Sequence, residues 1–236
     1  MTGALTLAIE TSNPSTGGAG EVALGRVGAH GVEVIGVMGL EPESTHDDAL
    51  MPAIDRLTRA HGVGAKEIAR IAVSAGPGGF TGVRIAVATA KGIGLVTGAR
   101  CVGVESGLVA AESWEGAGVI AVALASKRST AWVGVYEKVR GGNARVVEEG
   151  VEMDVEGLRA ARERTRFSAV MADAHLVAGM REWCTSSGVG VEPLRLTAEG
   201  VLRASAGVED VGADRLAPVY PREPEAVTKW RRLKGE

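Results

Sequence analysis

Aromatic residues are the scarcest structural material in this chain. Phe, Tyr and Trp make up only 3% of the 236 residues, with two Phe, two Tyr and four Trp. A hydrophobic core must therefore be built mainly from Val, Ala, Leu and Ile. Apolar residues still reach 45% and charged residues 23%, which is the composition of an ordinary globular protein. Disorder, coiled coil and collagen are excluded as descriptions of the whole chain.

Cysteine is almost as scarce, and histidine shows no metal-binding pattern. The two cysteines, Cys101 and Cys184, lie far apart, and no C-x-x-C pair exists. A disulfide framework or a zinc ribbon is therefore not expected, and a reducing cytoplasm is the expected location. The histidines have none of the spacings of a two-histidine metal site, such as H-x-x-x-H. They are His30, His46, His61 and His175.

Long apolar segments and an excess of basic charge are also missing. The longest apolar run, residues 119–125, is far shorter than the ~20 residues of a membrane span, and residues 1–10 lack the basic region of a signal peptide. The 26 Lys and Arg residues against 29 Asp and Glu residues give a net charge of −3, which argues against a protein that coats nucleic acid. The tail is basic at Lys229, Arg231, Arg232 and Lys234. These residues are interpreted as solvated surface or, alternatively, as a contact with tRNA.

Hydrophobic periodicity predicts two small mixed α/β units. In residues 1–105, three strands at 5–9, 21–27 and 32–38 precede a helix near 50–60, a strand at 71–74, a helix at 83–96 and a strand at 101–104. This β-β-β-α-β-α-β order is typical of the actin-like ATPase (ribonuclease H-like) fold. Residues 106–236 are predicted to form a second, smaller α/β domain, with a tail at 217–236 that packs back on the first.

The segments of this second domain follow the same kinds of pattern. Strands are predicted at 119–124, 131–136, 145–148 and 169–172. Helices are predicted at 107–113, 154–165, 175–185 and 198–206.

A glycine-rich loop at residues 76–82 is the strongest local signal. It follows a strand and precedes a helix, the context in which backbone N–H groups bind anions, but no lysine stands in the Walker A position and the next basic residue is Arg84. Two interpretations stay open. The loop binds phosphate, with Gly76, Gly78 and Gly79 as candidates, or it is a tight turn that lets the following Ala/Gly-rich helix pack closely, with Thr81 as its N-cap.

The end of the first strand, Glu10-Thr11-Ser12, is the second signal. In an actin-like fold a carboxylate at this position would hold Mg²⁺ through water. Alternatively, a lone acid at a strand end is a turn or capping residue. With the glycine-rich loop, Glu10 supports one alternative function, an actin-like ATP-binding phosphotransferase or ATPase that acts on a small molecule.

Residues 71–85 (IAVSAGPGGFTGVRI) resemble the signature of the TsaB (YeaZ) family, bacterial proteins of tRNA threonylcarbamoyladenosine (t6A) biosynthesis. Four further segments are similar to family motifs: 7–12 (LAIETS), 45–52 (THDDALMP), 103–108 (GVESGL) and 217–230. The middle of the chain, about 114–216, matches poorly, and Ala125 stands where the family has an Asp.

The resemblance implies an actin-like fold and a non-catalytic subunit, a shortened paralogue of TsaD, which transfers the threonylcarbamoyl group to adenosine 37 of tRNA. The implied partners are a TsaD-like catalytic subunit, a TsaE-like ATPase and, when the chain is alone, a second copy of itself. It would meet tRNA only indirectly. Leu50 replaces the second histidine of the TsaD metal helix after His46, so no metal is implied. No cofactor is implied either, although ATP or ADP could bind at a partner interface.

The resemblance also implies that the two helices of the first domain dock on the partner as a helical bundle. Small residues permit close helix crossing, and exposed apolar faces would form a patch that a monomer should not leave bare. Alternatively, these faces simply cover the sheet. The residues expected to bind the partner are His46, Leu50, Ile54, Leu57, Thr81, Arg84, Ala86 and Ala90.

Overall fold

The computed structural model describes residues 3–12, 20–29, 31–41, 46–221, 230–231 and 234, with the side chains of residues 46–48 left out. Its first half forms a five-stranded sheet with the strand order β3-β2-β1-β4-β5. The strands are β1 (Ala4–Glu10), β2 (Glu21–Gly28), β3 (Gly31–Gly39), β4 (Arg70–Gly76) and β5 (Arg100–Glu105). Strands β1, β2 and β3 form an antiparallel meander, and β4 and β5 extend it in parallel to β1.

The second sheet repeats this plan in the order β10-β9-β6-β7-β8. Its strands are β6 (Gly118–Lys127), β7 (Thr130–Lys138), β8 (Ala144–Met153), β9 (Ala169–Ala172) and β10 (Gly190–Pro193). The first three are antiparallel, and β9 and β10 are parallel to β6. Each unit is thus a meander continued by two parallel strands.

Six α-helices cover the two sheets in the described residues. They are α1 (His46–Ala60), α2 (Phe80–Thr97), α3 (Ser106–Ser113), α4 (Val155–Thr165), α5 (Ala178–Ser186) and α6 (Ala198–Ala204). Helices α1 and α2 pack on one face of the first sheet, and α6 packs on the other. Helices α4 and α5 cover the second sheet. Helix α3 lies between the sheets, with Val109 in one core and Ala110 and Ala111 in the other.

The two largest aromatic side chains of the second core pack against glycines. Trp132 and Tyr136 of β7 are buried in the second core. A Cβ atom at Gly134 or Gly150 would collide with these rings. Glycine at these positions lets a core that is poor in aromatic residues close around its two largest side chains.

Several predicted boundaries were wrong. Helix α2 begins at Phe80, with Gly79 as N-cap and no side-chain cap, so Thr81 is not the cap but lies in the first turn. Helix α5 begins at Ala178 rather than residue 175. Strand β8 is far longer than 145–148, and β10 was missed, because both are exposed edge strands without a buried apolar run.

The chain returns to the first sheet from α6 onward, before the predicted tail. The guanidinium of Arg70 donates to Ser205 Oγ at 3.0 Å and forms an ion pair with Asp210. Residues 208–220, called the C-terminal strap here, then follow the edge of the first sheet. In the strap, Val211 exchanges two backbone hydrogen bonds with Cys101, at 3.1 and 2.7 Å. The division at residue 105 therefore separates the two sheets but not the packing of the chain after residue 197.

A buried ion pair joins α3 to the second sheet. Lys138 Nζ contacts the carboxylate of Glu112 and donates to its carbonyl oxygen at 3.1 Å, while Ala144 N donates to Glu112 Oε1 at 2.7 Å. The side chains of Lys138 and Glu112 are only 10% and 1% exposed. Removal of one partner would leave a charge buried without its counterion.

We expect Lys138→Met to lower the free energy of unfolding by about 3–5 kcal/mol, because it leaves the Glu112 carboxylate buried without a counterion. The matched control is Arg145→Met, whose ion pair with Glu137 is exposed, so it should cost less than about 1 kcal/mol. Urea denaturation of both variants measures the difference. Equal losses would show that burial does not set the worth of the Lys138–Glu112 pair.

Candidate functional site

The carboxylate of Glu10 is turned into the protein rather than toward a ligand. Glu10 is only 2% exposed at the end of β1. Its Oε1 accepts hydrogen bonds from the backbone N and the Oγ of Ser12, both at 2.6 Å. Its Oε2 has no hydrogen-bond partner among the described residues. This is the geometry of a turn-forming acid, the alternative that the sequence left open for Glu10.

Three serine hydroxyls extend from Glu10 across the ends of the parallel strands. Ser74 Oγ of β4 donates to Ser12 Oγ at 3.1 Å and lies 2.7 Å from Ser106 Oγ at the start of α3. Sequence reasoning missed Ser74 and Ser106. The available signal was the position of each serine within or directly after a buried parallel strand, because the carboxyl ends of such strands meet at one edge of the sheet.

Burial makes Glu10 an unusual acid. Removal from water disfavours its charged form and raises the pKa of Glu10 from its usual 4.5 to about 7, although the hydrogen bonds from Ser12 oppose this shift. Glu10 thus changes charge near neutral pH inside the network that joins β1, β4 and α3.

The turn after Glu10 is tied directly to the start of α2. The carbonyl oxygen of Ser12 accepts a hydrogen bond from Gly79 N at 2.6 Å, and Thr11 Oγ1 donates to the carbonyl of Gly82 at 2.7 Å. A Cβ atom at Gly78 would lie 2.5 Å from Ser12 O, and one at Gly82 would lie closer still to Thr11 O. The glycines therefore permit a backbone contact between strand and helix, as the tight-turn interpretation of the loop requires.

Gly76 serves the same packing from the other side of the loop. It is buried at the end of β4 with φ +108°, and a Cβ atom there would lie 2.5 Å from the carbonyl oxygen of Val219 in the C-terminal strap. Gly76 is therefore covered by the chain itself. Gly78 and Gly79 are half-buried and face a cavity.

That cavity, of about 260 Å³, lies between the two sheets. Ser12, Gly78 and Gly79 line it from the first unit, and Ser126, Asp173 and His175 line it from the second. Glu10 is not among the residues that line it. In the part of the chain that the structure describes, no three His, Cys, Asp or Glu side chains are grouped so that they could hold a metal ion.

Most of the predicted docking residues are buried within the chain. Leu50, Ile54 and Leu57 of α1 and Ala86 and Ala90 of α2 are at most 6% exposed and belong to the first core. They cover the sheet, which is the alternative that the sequence left open. These five side chains are therefore not exposed for contact with another protein. His46, which was also expected to bind the partner, is the first residue of α1, and its side chain lies outside the described part of the structure.

The outer face of α2 carries an exposed apolar surface. Thr81, Arg84, Ala88 and Gly92 are exposed along it, and Leu95 and Val96 are 70% and 85% exposed. Met51 adds a 51% exposed side chain on α1. By length and composition alone, the 18 residues of α2 could cross a bilayer. Its inner face, however, packs on the first sheet. We call the outer face of α2, together with Met51, the α2 face.

Comparisons with known proteins agree with this architecture. A family model described as TsaD, tRNA N6-adenosine threonylcarbamoyltransferase, matches residues 31–188. The chain is 29% identical over 230 residues to the tRNA threonylcarbamoyladenosine biosynthesis protein TsaB of Bacillus subtilis, covering 95% of this chain and 96% of that protein. A TsaB protein of Buchnera aphidicola is 35% identical over 98 residues, which are 39% of this chain and 44% of that protein.

Solved structures share the fold. A crystal structure of an uncharacterized Pseudomonas aeruginosa protein, described as similar to peptidase YEAZ, superposes with a TM-score of 0.72 over 93% of this chain and 100% of that one, at 22% identity. YeaZ from Pseudomonas aeruginosa gives a TM-score of 0.70 over 92% and 99% of the chains, also at 22% identity. With the topology of the two sheets, these matches confirm the predicted actin-like α/β fold.

The glycine contact at the start of α2 can be tested by stability. We expect Gly82→Ala to lower the free energy of unfolding by about 1–3 kcal/mol, because its Cβ atom would force the backbone of Thr11 away. Gly92→Ala is the matched control in the same helix. Its Cβ atom meets open space, so it should stabilise the protein by up to about 1 kcal/mol. If denaturant titration shows that both substitutions change the free energy of unfolding in the same direction, the close contact between Gly82 and Thr11 is contradicted.

The buried acid can be tested by the pH dependence of stability. Between pH 4.5 and 7 the native state holds a proton on Glu10 that the unfolded chain has lost, so wild-type stability should fall as the pH rises. A shift from 4.5 to about 7 corresponds to about 3 kcal/mol. Glu10→Gln has no proton to lose at this position, so its free energy of unfolding should not fall in this way. Relative to wild type, the variant should therefore become more stable between pH 5 and pH 8. Urea titrations that give the same difference at both pH values would contradict the buried, titrating Glu10.

Proposed function

This chain belongs to the TsaD family as a member of its TsaB/YeaZ branch, and from that premise we propose that it is a non-catalytic subunit of the complex that forms t6A in tRNA. It docks on a TsaD-like catalytic subunit and, with a TsaE-like ATPase, keeps that subunit active in adding the threonylcarbamoyl group to adenosine 37. The names of the curated relatives support a role in t6A biosynthesis.

The observation that carries this proposal is the α2 face. Leu95 and Val96 lie largely in solvent beside Ala88 and Gly92, whose small size lets a second helix approach closely. Exposed apolar surface of this kind marks an interaction site. A bundle formed by α1 and α2 with two helices of the partner would cover this surface.

A supporting role, rather than a catalytic one, agrees with the state of the strand ends. The carboxylate of Glu10 accepts two hydrogen bonds from Ser12, and Glu10 is buried. The half-buried Gly78 and Gly79 hold the start of α2 close to β1. In this proposal the TsaD-like partner supplies the reacting groups, and the chain meets tRNA only through that partner, in the cytoplasm.

The α2 face also accounts for the expected behaviour of the chain alone. Without the catalytic subunit, two copies would cover the same apolar surface by pairing, since a patch that binds a similar helix pair can bind its own. The homodimer and the complex with the TsaD-like subunit then compete.

We expect Ala88→Arg to abolish docking, because it places a long charged side chain in the centre of the α2 face while leaving the core untouched. Light scattering should then give the mass of a monomer. In a reaction with purified TsaD-type and TsaE-type proteins, threonylcarbamoyl-adenylate and tRNA, t6A formation should fall at least about 10-fold. The matched control is Ala178→Arg, an exposed alanine of α5 in the second unit, which should leave both results unchanged.

Two outcomes would contradict the proposal. If Ala88→Arg changes neither the mass nor the activity, the α2 face is not the docking surface. If t6A formation is the same with and without the chain, while the chain alone hydrolyses ATP, the actin-like ATPase alternative takes its place.

A further inference from the structure

Three exposed side chains at the start of α2 form an ordered stack. The guanidinium carbon of Arg84 lies 3.7 Å from the ring centroid of Phe80 and 5.7 Å from that of Tyr220. Arg84 Nε donates to the hydroxyl of Tyr220 at 2.7 Å, and the two ring centroids are 5.8 Å apart. We call Phe80, Arg84 and Tyr220 the aromatic clamp.

The clamp uses residues that the chain otherwise keeps inside. The sequence has two Phe and two Tyr, and the other two, Phe167 and Tyr136, are completely buried. Phe80 and Tyr220 are instead 58% and 43% exposed. Exposed aromatic rings around an arginine are typical of the few residues that dominate binding at protein interfaces.

The charge of Arg84 has no counterion in the described residues. Its only polar contact there is the hydrogen bond from Nε to Tyr220, so no described residue accepts a hydrogen bond from Nη1 or Nη2. Other exposed arginines, such as Arg159 and Arg164, are paired with carboxylates. Two parallel N–H donors on a planar group match the two oxygens of a carboxylate.

The C-terminal strap fixes the far side of the clamp. Val219 N donates to the carbonyl of Ala75 at 2.7 Å, directly before Tyr220. Earlier in the strap, Lys91 Nζ of α2 donates to the carbonyls of Asp214 and Leu216, both at 3.0 Å. Because Tyr220 is positioned in this way, the guanidinium is held before any partner arrives. Binding then costs little side-chain entropy.

The clamp is continuous with the α2 face. Arg84 and Ala88 are four residues apart on α2 and so lie on the same side of the helix. Phe80 is exposed at the start of α2, and Val219, directly before Tyr220 in the chain, is 47% exposed. A partner that covers Ala88 therefore meets the clamp as well.

We propose that the aromatic clamp anchors the docking of the partner subunit by receiving the carboxylate of an acidic side chain on that subunit. Nη1 and Nη2 of Arg84 donate to the two carboxylate oxygens, and the rings of Phe80 and Tyr220 shield the ion pair from water. The identity of the partner as a TsaD-like subunit rests on the proposed function; the carboxylate rests on the Arg84 guanidinium, which has no carboxylate partner in the part of the chain that the structure describes.

The test is the dissociation constant of the complex with a purified TsaD-type subunit, measured by titration calorimetry at low and high NaCl. We expect Arg84→Gln to weaken binding about 30-fold or more, the effect of an interface residue that dominates affinity. Arg84→Lys keeps the charge but loses the paired donors, so its loss should be smaller but clear. Tyr220→Phe keeps the ring but removes the hydroxyl that accepts from Arg84 Nε. It should weaken binding about 3- to 10-fold, which is less than the loss expected when a charge-assisted hydrogen bond to the partner is removed.

The matched control is Arg159→Gln on α4, which should change the dissociation constant less than about 2-fold because Arg159 lies in the second unit and is already paired with Glu156. Salt should weaken wild-type binding more than that of Arg84→Gln, since the variant has lost an ion pair.

The outcomes separate this inference from the proposed function. If wild type binds, Ala88→Arg does not and Arg84→Gln binds like wild type, the clamp is overturned and the docking face stands. If wild type does not bind the TsaD-type subunit, the proposed function fails and the clamp fails with it. If added inorganic phosphate strengthens wild-type binding but not that of Arg84→Gln, the clamp takes a phosphate and the carboxylate is overturned.

Discussion

The backbone contact between the end of β1 and the start of α2 is the constraint on which the rest of the first unit depends. The Thr11–Gly82 and Ser12–Gly79 hydrogen bonds can form only because no Cβ atom stands between strand and helix. They fix the residue at which α2 begins. The helix start in turn decides which side chains reach the core and which face solvent. Ala86 and Ala90 go inside, and Arg84, Ala88 and Gly92 come out.

The site was only partly predictable from the sequence, because several of its residues are far apart in the chain and meet only in the folded protein. The strands and helices of the first unit follow from periodicity, and the family follows from the motif at 71–85. Five of the residues that were expected to bind a partner, Leu50, Ile54, Leu57, Ala86 and Ala90, are buried against the first sheet instead. An apolar stripe of Leu and Ala shows that something covers it but not whether a sheet or another protein does. Tyr220 stands 136 residues from Arg84, so no spacing rule could join them. The serine network was missed although Ser74 and Ser106 lie in or directly after buried parallel strands, because only the fold shows that they meet Ser12 at one edge of the sheet.

The second unit was harder to predict because it depends less on continuous apolar runs. Its edge strands β8 and β10 are exposed, and its largest rings fill spaces above glycines. The end of β6 is a particular case, because its register with β7 shifts between Leu124 and Lys127. Ala125 stands where the TsaB family has an Asp and has φ 50°. Asp tolerates this left-handed conformation better than Ala does, so the backbone at this position suits the residue that the sequence has lost.

The C-terminal strap also has a consequence for the order in which the protein is made. Arg70 is only 6% exposed, and its charge is neutralised by Asp210, 140 residues further along the chain. The edge of β5 is likewise paired through Val211. While the ribosome is still adding the second unit, the first sheet therefore holds a cation without its counterion and an open edge. The half of the protein that is synthesised first is thus completed only after the C-terminal strap has left the ribosome.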